Sequence, residues 1–115
     1  MPNTKQNNTQ TTRIAITGIG IISAIGNSAV ENKEALLASR SGIGKIQHIS
    51  TVHTDLIKVG EVNLNNNDLI SELKIPEDNN FTRTALLGLH AAKEALLHSK
   101  IQPADTYRTG FISAT

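Results

Sequence analysis

Arg13-Ile14-Ala15-Ile16-Thr17-Gly18-Ile19-Gly20-Ile21-Ile22-Ser23-Ala24-Ile25-Gly26-Asn27 is the stretch whose reading decides the fold. Ile14, Ala15 and Ile16 are apolar, two of the three are β-branched, and no turn former interrupts them, which predicts a strand over residues 13–17. The apolar run continues through Ile19, Ile21 and Ile22, as in a parallel sheet covered on both faces. Gly18, Gly20 and Gly26 mark places where the backbone turns sharply or lies close to something else. Ser28 stands three residues before Glu31, the spacing of a capping box that opens a helix. Strand, glycine-punctuated connection and helix form an α/β plan.

A glycine pair between a strand and a helix could also cradle a pyrophosphate on backbone amides. The dinucleotide fingerprint requires Gly-x-Gly-x-x-Gly, and Ser23 holds the third glycine position. The predicted helix starts near Ser28, well after Gly20, and no acidic residue closes an obvious second strand about 20 residues further on. The pattern favours a structural turn over a small dinucleotide-binding module built on Gly18 and Gly20.

Composition narrows the possibilities. The 115 residues suffice for one domain. Hydrophobic residues make up 38% and aromatic residues 3%, so any core is aliphatic. Net charge is +1, from 11 basic and 10 acidic side chains without a basic stripe, which argues against nucleic acid as a partner. The absence of cysteine removes disulfides, thiolate metal sites and thiol nucleophiles from this sequence. His48, His53, His90 and His98 form no His-x-x-x-His pair and sit beside no carboxylate cluster, so no metal or cofactor site is assigned. Residues 1–12 are Asn-, Gln- and Thr-rich and read as a disordered polar tail with neither signal-peptide nor transit-peptide character. No segment approaches the ~18 apolar residues of a membrane span. A cytoplasmic location is expected.

Further along, residues 28–38 predict a first helix with Val30, Ala35, Leu36 and Leu37 inward. Residues 39–44, with two serines and two glycines, predict a turn; residues 46–52 show no clean period. Residues 57–64 alternate imperfectly and predict a short strand near an edge. Asn65-Asn66-Asn67 reads as a turn before a short helix over 68–73, with Leu69, Ile70 and Leu73 on one side. After a loop at 76–80, residues 81–99 carry the clearest helical pattern: Ala85, Leu89, Ala92 and Leu96, flanked by Leu86 and Leu97. His90 reads as a core-edge or solvent-facing histidine, and His98 suits the helix C-terminus. Residues 102–108 read as a connection, and residues 109–115 open a second, buried strand.

The order of these segments resembles the N-terminal part of an elongating β-ketoacyl-acyl-carrier-protein synthase. Residues 13–27 look like the family's opening strand and turn. Glu-Ala-Leu-Leu-Ala-Ser-Arg-Ser-Gly-Ile-Gly (34–44) looks like its first helix and Ser-Gly-Ile turn, and Phe-Thr-Arg-Thr-Ala-Leu-Leu-Gly-Leu-His-Ala-Ala-Lys-Glu-Ala-Leu (81–96) like its second long helix. Val59-Gly60-Glu61-Val62 falls where the family has a glycine-containing strand, and residues 108–115 resemble the strand after the long helix. The Asn-rich texture and Phe-Thr-Arg-Thr-Ala-Leu-Leu-Gly resemble ketosynthases of bacterial polyene-pigment pathways.

The resemblance implies an incomplete thiolase-like layered α/β/α fold, the front portion of the first half with its sheet unfinished, over residues 13–115. It implies an acyltransferase that joins carrier-bound acyl chains to a malonyl unit, with an acyl carrier protein as partner and a homodimeric or heterodimeric full-length protein. The family's nucleophilic Cys and catalytic His pair lie downstream of the segment matching Thr115, so none of the four histidines is assigned to catalysis. A chain-length-factor-like partner subunit, which keeps the fold without the nucleophile, is the alternative. Related synthases place basic residues before the second long helix; here Pro76-Glu77-Asp78-Asn79-Asn80 stands there, with Lys74 the nearest cation, so no docking residue is assigned. Residues 1–115 alone are expected to show no acyl loading or condensation. They are also expected to dissolve poorly, because residues 13–17 and 109–115 lack sheet partners.

Overall fold

The structure, a computed structural model, describes residues 12–101 and 108–114. Of the expected tail over 1–12 and the expected connection over 102–108, residues 1–11 and 102–107 lie outside the described residues, as does Thr115. Three helices and one two-stranded sheet follow in the order α1 (Ala29–Leu37), β1 (Ile43–Lys45), β2 (Lys58–Gly60), α2 (Asn66–Leu73) and α3 (Arg83–Ser99). The radius of gyration is 20.8 Å, against roughly 13 Å for a compact domain of this length.

Local chemistry explains where the helices begin. Ser28 caps α1 by accepting from the Glu31 N–H at 3.2 Å. Glu31 Oε2 returns to the Asn27 N–H at 2.7 Å, one residue earlier than a full capping box would place it. Asn65 and Asp68 form a complete reciprocal box at the start of α2, so Asn65 is a cap and Asn66 and Asn67 are already helical rather than a turn. Thr82 caps α3 through the Ala85 N–H. At the other ends, Ser39, Lys74 and Lys100 take the left-handed conformation usually given to glycine. The first helix therefore stops before Gly42 is reached.

β1 and β2 pair antiparallel, with Ile43 opposite Gly60, Gly44 opposite Val59 and Lys45 opposite Lys58. The β2 strand falls within the expected 57–64 segment. β1 starts inside the stretch read as a turn; pairing with β2 extends Ile43 and Gly44 despite the surrounding glycines.

Two expected strands are corrected. Residues 13–17 join no sheet and are solvent-exposed, Ile14 at 94% and Ile16 at 85%. Residues 109–114 likewise join no sheet strand, with Ile112 96% exposed. The physical reason is the same for both. A buried strand needs neighbours on its edges and cover on its faces, and the described residues supply neither.

The core is correspondingly small. Ala35, Ile46, Leu69 and Leu86 are its buried apolar residues, and Leu69 and Leu86 seal the α2–α3 contact. The inward face expected for α1 is also corrected. Only Ala35 of that set is buried, beside Asn32, while Val30, Leu36 and Leu37 remain in solvent. Asn32 and Ala35, three residues apart, form the narrow face that α1 turns inward.

α3 presents three stripes, each about a third of a turn from the next. Arg83, Leu86, His90 and Lys93 face α2. Arg83 donates to Asn66 Oδ1 and the Val62 carbonyl, both at 3.0 Å, His90 Nε2 meets Glu72 Oε2 at 2.8 Å, and Lys93 Nζ donates to the Glu72 carbonyl at 2.6 Å. Ala91, Glu94, Ala95, His98 and Ser99 face residues 18–22. Ala85, Leu89, Ala92 and Leu96 line open grooves with Phe81.

Candidate functional site

The best-organised polar cluster lies where the glycine-rich segment meets α1 and α3. Ser23 and Gly26 close a tight turn, exchanging N–H to carbonyl bonds of 2.9 and 3.3 Å. Asn32, 6% exposed, fills this turn from α1. Its Nδ2 donates to the carbonyls of Gly26 at 2.9 Å and Ser28 at 2.8 Å, and its Oδ1 accepts from the Ser23 hydroxyl. Every polar atom of this buried amide is therefore engaged, the condition under which burial is tolerated.

Glu94 ties the same region to α3. Its Oε2 accepts from the Ile21 N–H and its Oε1 from the Ala29 N–H, both at 2.8 Å. One turn later His98 Nδ1 accepts from the Ile19 N–H at 3.1 Å. The N–H groups of Ile19 and Ile21 point the same way, as alternate residues of extended backbone do. Gly18 and Gly20 allow this approach. A Cβ on Gly18 would lie 2.1 Å from the Ala95 carbonyl oxygen, and one on Gly20 would lie 1.9 Å from that of Ala91.

This geometry overturns the dinucleotide reading. The amides after Gly18 and Gly20 are already bonded to His98 and Glu94. The first N–H of α1, at Ala29, holds the Glu94 carboxylate, an anion standing where a phosphate would have to sit. The glycines serve close helix contact, the second role that sequence reasoning allowed them.

A second polar site surrounds Glu61, just after β2. Glu61 Oε2 accepts from the Gln47 N–H at 2.7 Å and the His48 N–H at 3.0 Å. Its Oε1 is closed to solvent and has no hydrogen-bond partner among the described residues. Burial pushes the carboxyl up, but the two N–H bonds and the charges of His48 and Arg83 outweigh it and hold Glu61 below its ordinary value. Glu61 lines a cavity of about 260 Å³ with Ser41, Lys45, Gln47, His48 and Asn63. Periodicity did not single out Glu61; its position beside a strand glycine, three residues after Lys58, carried no chemical signal.

The structure does not bring the four histidines together. His48 borders the Glu61 cavity, the His53 carbonyl accepts from Leu56 and Ile57 in the 51–57 turn, His90 faces α2, and His98 faces residues 18–22. Among the described residues no group of three or more His, Cys, Asp or Glu could hold a metal ion. No helix among them is long and apolar enough to cross a membrane. The clusters found here position backbone, and none pairs a nucleophile with a base.

Helices, a small sheet and a glycine-rich first segment pressed on a helix are compatible with an incomplete α/β fold. The profile of the β-ketoacyl synthase N-terminal domain matches residues 11–115, and the chain belongs to that family. The family implies a thiolase-like fold, of which the present elements are a part. The 3-oxoacyl-[acyl-carrier-protein] synthase 2 of Staphylococcus aureus strain N315 is 33% identical over 97 residues, covering 84% of this chain and 23% of the relative. That of strain COL is 34% identical over 98 residues, covering 84% and 24%. The synthase of the same name from Vibrio cholerae serotype O1 is 42% identical over 41 residues, covering 36% of this chain and 10% of the relative. The chain thus spans about a quarter of the length of the Staphylococcus relatives. No solved structure matches at a significant level.

Proposed function

We propose that this chain is the N-terminal part of a β-ketoacyl-acyl-carrier-protein synthase that elongates carrier-bound acyl chains by decarboxylative Claisen condensation. The observation that carries this reading is the family match over residues 11–115. In the reaction a Cys thiolate attacks the acyl thioester and releases the carrier thiol. Malonyl-carrier loses CO₂, and the resulting enolate carbon attacks the Cys-bound acyl carbonyl, forming the carbon–carbon bond and returning the thiolate. The family's Cys and two His lie beyond the segment matching Thr115, so residues 13–115 supply scaffold and no catalytic side chain. The network of Asn32, Glu94 and the glycines supports that role, since each of these groups positions backbone.

The partners in this reading are an acyl carrier protein and a second synthase subunit, in the cytoplasm, with residues 1–12 a polar tail ahead of the domain. The pathway is fatty-acid synthesis or the assembly of a polyene pigment. The test is to purify the native gene product and assay it with acyl- and malonyl-carrier. Condensation that disappears when the downstream Cys is replaced by Ala supports the proposal. A native product with another residue at the nucleophile position, active only beside a second subunit, replaces it with the chain-length-factor-like role. Acyl loading by residues 1–115 alone would refute the scaffold assignment.

A further inference from the structure

We draw no further inference here: the strongest candidate, the apolar groove that Phe81, Ala85, Leu89, Ala92 and Leu96 line along the open stripe of α3, carries nothing, because nothing in the structure shows what covers it.

Discussion

On α3 the stripe Ala91, Glu94, Ala95, His98 and Ser99 is pressed against residues 18–22, whereas the stripe Ala85, Leu89, Ala92 and Leu96, a third of a turn away, stands open, with Leu96 71% exposed. The open stripe is the more hydrophobic of the two. What brings chain onto the other is fit: two glycines without side chains, two alanines beneath them, and two acceptors spaced to meet alternate N–H groups. Hydrophobicity makes a face available for burial, but the geometry of backbone approach decides which face is used first.

The largest expected effect comes from spoiling that fit. In Gly20→Val the new side chain would meet the Ala91 carbonyl oxygen and the Ala95 nitrogen, both backbone atoms that cannot swing aside. We expect a loss of about 3 kcal/mol or more in chemical denaturation. Gly88 lies on the same helix with nothing within 4 Å of its would-be Cβ. Gly88→Ala should therefore change stability in the opposite direction, by up to about +1 kcal/mol from helix propensity. If both substitutions shift the midpoint the same way, the contrast between the two faces is wrong.

The next effect sharpens the contrast among leucines. Leu86, fully buried against α2, should cost about 2–5 kcal/mol as Leu86→Ala. Leu96→Ala, on the open stripe of the 115-residue chain, should stay within about 0.5 kcal/mol. A large Leu96 effect in the same denaturation series would show that the open face is covered in solution.

Asn32 tests the polar side of the comparison. Asn32→Ala removes the partner of two carbonyls and one hydroxyl and should cost about 2 kcal/mol. Asn32→Asp should cost at least as much, because it turns an acceptor toward the Gly26 and Ser28 carbonyl oxygens. A neutral Asp variant, read by the same denaturation midpoint, would mean that the amide orientation is reversed.

These contrasts also explain what could be read ahead of the structure. The Ser28 cap and the run of the long helix were legible because they depend on neighbours in sequence, Ser28 three residues before Glu31 and the apolar recurrence from Ala85 to Leu96, whereas the Asn65 cap was hidden in three asparagines that read as a turn. The β2 strand and the close approach at Gly18 and Gly20 were legible for the same local reason. Burial was not. Residues 13–17 look like a strand because the isoleucines suit one, but a strand exists only where another chain segment offers its edge. Leu86 and Leu97 flank the same stripe, yet only Leu86 meets α2. The reach of Glu94 to Ile21 and Ala29, across 73 and 65 residues, left no local trace, because an acidic residue on a helix usually marks a solvated face. The family resemblance rested on the order of segments and so survived these errors.

The smallest expected effect concerns the acidic edge beside β2. Two N–H bonds and the charges of His48 and Arg83 hold the folded Glu61 carboxyl below its ordinary value of 4.5. Because the folded value is the lower one, the unfolded chain binds the proton more readily. The contribution to stability is therefore complete above about pH 4.5 and fades as pH falls through the lower folded value. Glu61→Gln should lower stability slightly at neutral pH and flatten its dependence below that point. Added salt should narrow the gap between parent and variant by screening the His48 and Arg83 charges, leaving the share due to the Gln47 and His48 amides. Denaturation midpoints of parent and variant across acid pH, at low and high salt, separate the two contributions. A parent curve as flat as the Gln curve would mean that the carboxylate gains nothing from its neighbours on folding, leaving the burial of its unpartnered Oε1 as an uncompensated cost.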